Sequence, residues 1–214
     1  MSLWSKNTKH NLTFTENNSD PKENKISNYA NKLIDSDYSK IMLNTEYEKI
    51  LNNGCIYLKN FFCSTQDTKI FENLKKELNI NTNLVNWSKH YKCQNIKISK
   101  TCNDILKKMS EHFKVTIIET RVNYYKSGQD YKPFHHDKNA YGNTAEDFTM
   151  GASFGSTRQL EFLHVETNKK FVFPQNNGDI FAFTKDINKL FMHGIPKEIN
   201  KGDRISIIAW GKIN

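Results

Sequence analysis

The sequence predicts an α+β fold in which helices precede a run of short β-strands. Apolar residues recur at helical spacing in two segments before residue 114, and short apolar runs separated by turn residues follow it. Many short strands at such spacing are typical of a β-sandwich or jelly roll. Because the helices come first and the strands later, we expect the helices to buttress one face of the sheet.

The first half of the chain supplies one strand and two helices. Residues 55–62 are β-prone and follow a turn-like Asn-Asn-Gly sequence, so they predict a strand. Ser64 begins the sequence S-T-Q-D, which favours a helix N-cap at that serine. Apolar residues at helical spacing then predict a helix over 66–78 and a second helix over 101–113.

After residue 114 the pattern changes to strands. Each segment is short and rich in β-branched and aromatic residues, and glycine or asparagine marks the turns between several of them. The predicted strands cover residues 114–125, 148–155, 160–166, 169–174, 179–184, 189–195 and 204–211.

Length and composition indicate one domain with a polar arm. The chain has 214 residues, enough to bury a core of its own. Residues 1–40 are rich in Asn, Lys, Ser and Asp and predict a flexible arm, and residues 41–214 predict a single domain. We expect residues 41–114 to form a helical, lid-like extension and residues 115–214 the jelly-roll core.

Charge and cysteine usage indicate which partners and which cellular compartment to expect. The formal net charge is +8, which favours a polyanionic partner such as nucleic acid, although solubility alone would also account for it. The four cysteines show no zinc-binding spacing and predict reduced thiols. Neither a signal peptide nor a membrane-spanning run is visible, so we expect an intracellular protein without a membrane partner.

A pair of potential metal ligands follows the first long strand of the second half. His135 and Asp137 are two residues apart, and on an extended segment such residues point to the same side, whereas His136 points away. His193 lies on a distant predicted strand and could complete the set. Two histidines and one carboxylate are the ligands of Fe(II) in non-haem oxygenases. His164 is the main rival for the third position.

An arginine near the C-terminus predicts an anion site. Arg204 opens the last predicted strand, and Ser206 lies two residues further on the same face. A guanidinium binds a carboxylate through two parallel hydrogen bonds, and a serine hydroxyl can add a third. The sequence therefore predicts an iron site with a nearby anchor for an acidic co-substrate.

Several short motifs in this half occur in a fixed order. They are Asn123-Tyr124-Tyr125, His135-His136-Asp137, Ser153-Phe154-Gly155 with Arg158, Gly178-Asp179, His193-Gly194-Ile195 and Arg204. With these motifs, residues 121–211 resemble the AlkB-like group of 2-oxoglutarate- and Fe(II)-dependent oxygenases. A weaker similarity continues upstream, from the segment preceding the first helix to the sequence NWSKH.

The resemblance implies a double-stranded β-helix, a form of jelly roll, that uses Fe(II), 2-oxoglutarate and O2. Its iron ligands would be His135, Asp137 and His193. The distal carboxylate of 2-oxoglutarate would bind Arg204, and Asn123 and Tyr125 would hydrogen-bond the same co-substrate. The chain departs from the AlkB pattern after Arg204, where Ser206 and Trp210 replace an asparagine and a second arginine.

The reaction expected from this resemblance is oxidative demethylation of methylated bases in nucleic acid. A flipped or single-stranded base needs aromatic and cationic walls. A hydroxylase of a protein side chain or small molecule is the first alternative, and a jelly-roll binding module without catalysis is the second. The candidate substrate residues are Trp87, His90, Tyr91, Tyr131, Lys132 and Phe134, with Arg158 from the matching motif.

Overall fold

The computed structural model describes residues 54–168 and 170–214. The predicted arm, residues 1–40, and the predicted start of the domain at residue 41 lie outside the described residues. The described part contains helices α1 (Lys69–Glu77), α2 (Lys100–Phe113) and α3 (Lys185–Leu190), with short 3₁₀ helices at Ile96–Ile98 and Lys138–Tyr141.

Eleven strands make up the rest of the described secondary structure. They are β1 (Cys55–Leu58), β2 (Leu84–Asn86), β3 (Tyr91–Cys93), β4 (Val115–Tyr125), β5 (Lys132–His135), β6 (Phe148–Gly155), β7 (Arg158–His164), β8 (Lys170–Gln175), β9 (Ile180–Thr184), β10 (Phe191–Ile195) and β11 (Arg204–Ile213).

The strands form two antiparallel sheets, of seven and four strands. The larger sheet has the order β1-β9-β6-β11-β4-β3-β2, and the smaller has the order β5-β10-β7-β8. Both sheets contribute side chains to one cavity, so the cavity lies between them. Three strands of the larger sheet come from residues 54–114, so the segment predicted as a helical extension also builds the sheet edges.

Helices α1 and α2 cover the outer face of the seven-stranded sheet, as the order of elements predicted. Leu74 of α1 and Met109 of α2 are fully buried in one apolar cluster with Val122 of β4 and Ile207 of β11. The start of α2 is fixed by Ser99, whose hydroxyl accepts a hydrogen bond of 3.0 Å from the backbone N–H of Cys102.

The prediction of an N-cap at Ser64 is wrong, because α1 begins five residues later. Thr68 occupies the N-cap position without a side-chain bond. Instead of starting a helix, the residues from Ser64 to Asp67 form a turn, and the Asn177 amide donates to the Ser64, Thr65 and Asp67 carbonyls at 2.9–3.3 Å. This tertiary contact satisfies carbonyls that a helix would otherwise have used.

Other differences concern short elements. The strand predicted over 55–62 ends at Leu58, and the segment 189–195 divides between the end of α3 and β10. Helix α3 has six residues, which is too short to produce a periodic apolar pattern. All four cysteines are free, and no helix in the described ranges combines the length and apolar character needed to cross a bilayer.

Candidate metal centre

The three predicted metal ligands meet at one end of the cavity. Potential ligand atoms of His135, Asp137 and His193 all lie within 4.8 Å of one another. The Asp137 Oδ1 atom is 3.7 Å from His135 Nε2 and 3.6 Å from His193 Nε2. Adjacent ligands of one ion with bonds near 2.1 Å would be about 3 Å apart, so a small inward movement would complete the coordination.

Sheet pairing explains how ligands distant in sequence come together. Strands β5 and β10 are antiparallel neighbours, and their register places His193 directly opposite His135. Asp137 follows β5 by two residues. His136 turns away, as predicted, and its Nδ1 lies 2.5 Å from the backbone carbonyl of Asn188.

Hydrogen bonds orient the ligand atoms toward a common point. His135 Nδ1 lies 3.0 Å from the Pro133 carbonyl, which favours a proton on Nδ1 and leaves the Nε2 lone pair for a metal. The Thr149 hydroxyl donates to Asp137 Oδ2 at 3.1 Å, so Oδ1 is the oxygen that faces the histidines.

Asn188 fixes the backbone of Asp137. Its Oδ1 accepts the Asp137 N–H at 2.9 Å, and its Nδ2 donates to the Asp137 carbonyl at 3.1 Å. Sequence reasoning missed both Thr149 and Asn188, because a hydrogen bond between segments leaves no local pattern in the sequence.

The electrostatics keep the three ligands ready for a cation. Burial, together with the charges of His193 and Lys132, lowers the pKa of His135 to about 3. Burial also lowers the pKa of His193. Burial alone would raise the pKa of Asp137, but the nearby histidines and hydrogen-bond donors outweigh it and lower that pKa. At neutral pH the site therefore holds two neutral imidazoles and one carboxylate.

His164, the rival third ligand, is not part of this cluster, so that alternative is wrong. It stands opposite Phe191 in the pairing of β7 with β10, and its Nδ1 lies 3.0 Å from the Thr167 hydroxyl. His193 occupies the third ligand position because β10 is the strand that lies next to β5.

The cavity continues from the metal ligands to the predicted anion anchor. Strands β4 and β11 are paired so that Arg204 is opposite Tyr125 and Ser206 is opposite Asn123, and all four residues line the cavity. The cavity encloses about 590 Å³ including its open mouth. The sequence placed Arg204 and Ser206 on one face of a strand, and the structure has them there.

Arg204 is buried and incompletely satisfied. Its Nε donates to the Ser153 hydroxyl at 2.9 Å, and its guanidinium lies 5.2 Å from the centre of the Tyr125 ring. Its Nη1, like Asn123 Oδ1, is buried without a hydrogen-bond partner. Burial lowers the pKa of Arg204 to about 10, so it stays charged at neutral pH. Buried donors normally have partners, so a carboxylate fits at Nη1.

Arg158, expected among the substrate residues, is engaged by the protein itself. It is completely buried, and its Nε donates to Glu198 at 3.2 Å. Its terminal nitrogens donate to the backbone carbonyls of Ser127, Asp130 and Pro196 at 2.5–3.2 Å. These contacts tie the loops before β5 and after β10 to the sheet, which supports the two strands that carry the metal ligands.

The aromatic residues predicted to bind substrate lie outside the cavity lining and pair with cations. The Lys92 ammonium lies 5.5 Å from the ring centre of Trp87, which is 51% exposed, and the Lys126 ammonium lies 4.0 Å from that of Tyr91. Tyr131 has Lys89 at 5.7 Å and Lys197 at 5.1 Å, and Phe134 has Lys170 at 5.4 Å. We refer to Trp87, Tyr91, Tyr131 and Phe134 with these lysines as the aromatic rim.

His90, which lies between Lys89 and Tyr91 in the sequence, is buried. Its ring stacks on Tyr125 with 5.2 Å between ring centres and 16° between planes. Burial, followed by the charge of Lys132, lowers the pKa of His90 to about 4. His90 therefore packs as a neutral ring against a residue of the anion site, rather than as an exposed substrate wall.

Comparison with known proteins identifies the fold and one relative in sequence. No protein-family profile matches the chain. A stretch of 114 residues, 52% of the chain, is 33% identical to the uncharacterized protein R406 of Acanthamoeba polyphaga mimivirus. The match spans 59% of that relative's length.

Three solved structures illustrate the similarity of the fold to known proteins. OsALKBH1 covers 73% of this chain and 97% of its own at a TM-score of 0.53 and 14% identity. A prolyl-4-hydroxylase from Pseudomonas putida covers 81% of this chain and 100% of its own, at a TM-score of 0.54 and 11% identity. An oxidoreductase of the 2OG-Fe(II) oxygenase family from Burkholderia pseudomallei covers 81% of this chain and 94% of its own, at a TM-score of 0.50 and 13% identity. The chain therefore has the fold of 2-oxoglutarate/Fe(II) oxygenases.

Proposed function

We propose that this protein is an Fe(II)- and 2-oxoglutarate-dependent dioxygenase of the AlkB-like type, which oxidatively demethylates methylated bases in nucleic acid. In this proposal the two facing sheets are a double-stranded β-helix. The observation that carries it is the convergence of His135 Nε2, His193 Nε2 and Asp137 Oδ1 in the cavity that also holds the unsatisfied Arg204.

The cofactor assignment follows from the chemistry of the donors. Two imidazole nitrogens and one carboxylate oxygen on one side of an ion suit Fe(II) and leave positions for other ligands. Bound iron would supply the activation of O2 that couples decarboxylation of 2-oxoglutarate to succinate with oxidation of a substrate C–H bond. Hydroxylation of an N-methyl group releases formaldehyde, which is the demethylation proposed here.

The protein's own residues bind and orient the co-substrate. Arg204 would hold the distal carboxylate through its free Nη1, and the Ser206 hydroxyl on the same face would donate to the same group. Asn123 and Tyr125 face them from β4. Phe181 and Phe183 line the cavity and would keep water from the reacting atoms.

The aromatic rim supports nucleic acid as the substrate. An exposed ring beside a lysine, such as Trp87 beside Lys92, can stack on a base while the ammonium meets a phosphate, and the net charge of +8 favours such a partner. The name of OsALKBH1 places it among AlkB homologues. The second candidate, hydroxylation of a protein side chain, is favoured by the comparable similarity to the prolyl-4-hydroxylase, at a TM-score of 0.54.

A product assay tests the proposal. Purified protein with Fe(II), 2-oxoglutarate and O2 would be given methylated single-stranded oligonucleotides, methylated peptides and free metabolites, while succinate and formaldehyde are measured. We expect formaldehyde from an oligonucleotide, with an apparent affinity that weakens steeply as salt rises, because phosphate contacts release counterions.

The His135→Ala variant provides the negative control, since it should form neither product. Hydroxylation of a peptide without formaldehyde release from any oligonucleotide would select the second candidate. Failure of the wild type to bind iron would exclude both and leave the non-catalytic binding module.

A further inference from the structure

A second cavity also reaches the metal ligands. It encloses about 430 Å³ including its open mouth, and it shares His135, Asp137 and Trp210 with the cavity that leads to Arg204. Arg204 and the other residues proposed to bind 2-oxoglutarate do not line it. A co-substrate anchored at Arg204 therefore leaves the second cavity free for a different molecule.

Trp210 stands where the two cavities meet. It shares one face of β11 with Arg204, six residues away, which corresponds to about 20 Å along an extended strand. Its register partner on β6 is Thr149, whose hydroxyl binds Asp137. The Arg121 guanidinium lies 5.2 Å from the Trp210 ring centre and lines the second cavity only. The second cavity therefore begins at the metal end of the first and continues away from Arg204.

Glu146 contributes an unpaired acid to the second cavity. Only 8% of this residue is exposed, and among the described residues its carboxylate has no hydrogen-bond or ion-pair partner. Asp147 holds the adjoining backbone, because its N–H donates to the Gly211 carbonyl and its Oδ1 accepts from the Ile213 N–H, both at 2.9 Å. A buried carboxylate costs free energy until a donor binds it, so Glu146 fits a ligand that carries an N–H group.

The other charged side chains of this cavity, apart from the metal ligands, bind one another. The Glu119 carboxylate lies 2.7 Å from the Lys138 ammonium and 3.6 Å from the Arg121 guanidinium. Glu146 is therefore the charged group on this cavity that a ligand can engage without breaking an ion pair.

Asn139 adds an unpaired donor to the same cavity. It is 1% exposed, its Oδ1 accepts a hydrogen bond from the Asn188 amide, and its Nδ2 is buried without a hydrogen-bond partner. The second cavity thus offers an acceptor on Glu146 and a donor on Asn139, beside the metal ligands. Since buried polar groups normally have partners, the complementary ligand carries both a donor and an acceptor.

Some methylated bases carry this combination. In 3-methylcytosine an amino group lies on one side of the methylated ring nitrogen and a carbonyl oxygen lies on the other. In 3-methyluracil the ring and the methyl group are the same, but carbonyl oxygens lie on both sides. A carboxylate accepts a hydrogen bond from the amino group, whereas it repels a carbonyl oxygen in the same place.

We propose that the second cavity is the substrate chamber, in which Glu146 accepts a hydrogen bond from the amino group of a methylated base and Asn139 donates to its carbonyl oxygen. This inference rests on the proposed function. It makes Glu146 a specificity-determining residue and assigns to the site those bases that have an amino group beside the methylated ring nitrogen.

The test compares two single-stranded oligonucleotides that differ at one base, 3-methylcytosine or 3-methyluracil. The measured quantity is the ratio of the two kcat/KM values for formaldehyde release at pH 7. Because the ratio is taken within each variant, a change in the folded fraction cancels. We expect the wild type to favour 3-methylcytosine by about tenfold or more, as is typical of a hydrogen bond to a charged group.

Variants of Glu146 separate its carboxylate from its bulk. Glu146→Gln should lower the ratio to within about threefold of unity, because an amide can also donate to a carbonyl oxygen. Glu146→Asp retains the carboxylate and should still favour 3-methylcytosine. The matched control Glu111→Gln alters an exposed acid on α2 and should keep the wild-type ratio.

A binding measurement tests the separation of the two cavities without any substrate. Calorimetry on the anaerobic Mn(II)-loaded protein should give the same dissociation constant for 2-oxoglutarate in Glu146→Gln as in the wild type, because Glu146 does not line the cavity of Arg204. A dissociation constant raised about tenfold or more would show that Glu146 serves the co-substrate, and the inference would be wrong.

The substrate ratio has three outcomes that would overturn the inference. A wild type that demethylates both oligonucleotides equally, or prefers 3-methyluracil, removes the inference and leaves the proposed function intact. A Glu146→Gln variant with the wild-type ratio shows that another residue sets the preference. Formaldehyde from neither oligonucleotide, with hydroxylation of a peptide, removes the proposed function and this inference together.

Discussion

The two faces of the seven-stranded sheet have opposite chemistry, although the same strands build both. On β11, Ile205, Ile207 and Ala209 have no exposed surface and pack in the cluster that contains α1 and α2. The residues between them, Ser206 and Ile208, line the cavity together with Arg204. The helix-covered face is apolar and closed, whereas the cavity face holds buried polar atoms without partners.

Side chains along a strand alternate between the two faces, so neighbouring residues contribute alternately to stability and to ligand binding. The helix-covered face removes apolar area from water, which is the main stabilising contribution to folding. The cavity face holds polar groups whose burial costs free energy until a ligand provides their partners. Substitutions on one face should therefore affect unfolding, and substitutions on the other should affect ligand binding.

The largest expected effect is the loss of the metal site in a His193→Ala variant. The cavity face would retain only two of three ligands, and an ion held by two side chains lacks the facial set that Fe(II) uses. We expect no Fe(II)-dependent succinate formation, measured beside Mn(II) binding by electron paramagnetic resonance. The matched control His164→Ala removes a histidine outside the cluster and should leave metal binding intact; equal losses in both variants would contradict the assignment.

Substitutions on the helix-covered face should change the free energy of unfolding. Met109→Ala removes a fully buried side chain from the helix-covered cluster and should lower the free energy of unfolding by about 2–5 kcal/mol. Urea denaturation of the metal-free protein measures this change. Without urea, and at a temperature where the variant remains folded, its affinity for Mn(II) should match that of the wild type. A parallel loss of metal affinity would show that the two faces are not independent.

A smaller effect is expected at the far end of the cavity. Arg204→Lys keeps the charge but removes the planar fork, so the dissociation constant for 2-oxoglutarate should rise by about 10- to 100-fold. Calorimetry on the anaerobic Mn(II)-loaded protein measures it. Pyruvate lacks the distal carboxylate and serves as the ligand control. If Arg204→Lys weakened pyruvate binding as much, Arg204 would not be the anchor for that carboxylate.

The smallest expected effect is that of pH on metal binding. Two ordinary histidines with pKa values near 6.5 would each lose about tenfold in metal affinity at pH 5.5, because protons compete for the nitrogens. The pKa of His135 is about 3, so its imidazole stays neutral as the pH falls from 7.5 to 5.5, and the lowered pKa of His193 makes protons compete less at that nitrogen than at an ordinary histidine. Mn(II) affinity should fall by less than about tenfold over that range. A loss near 100-fold would contradict these pKa shifts.

Strand periodicity made much of the site predictable. The pairs His135 with Asp137, and Arg204 with Ser206, were assigned to common faces from their two-residue spacing, and each pair faces the cavity. The helix over Lys100–Phe113 and the strand over Phe148–Gly155 were also predicted closely, because each has a long or dense apolar pattern. Ser64 was misassigned because its capping sequence is local, whereas the contact with Asn177 that overrides it is not.

The identities and spacing of the residues determined which groups could bind a metal and a carboxylate, because ligand type and strand alternation are local properties. Only the tertiary structure decided that His193 rather than His164 completes the set, since that choice depends on which strand lies beside β5. It also decided that Thr149 and Asn188 orient Asp137. Such contacts join residues 12–58 positions apart or from different strands, and their energies arise only when packing excludes water from between them.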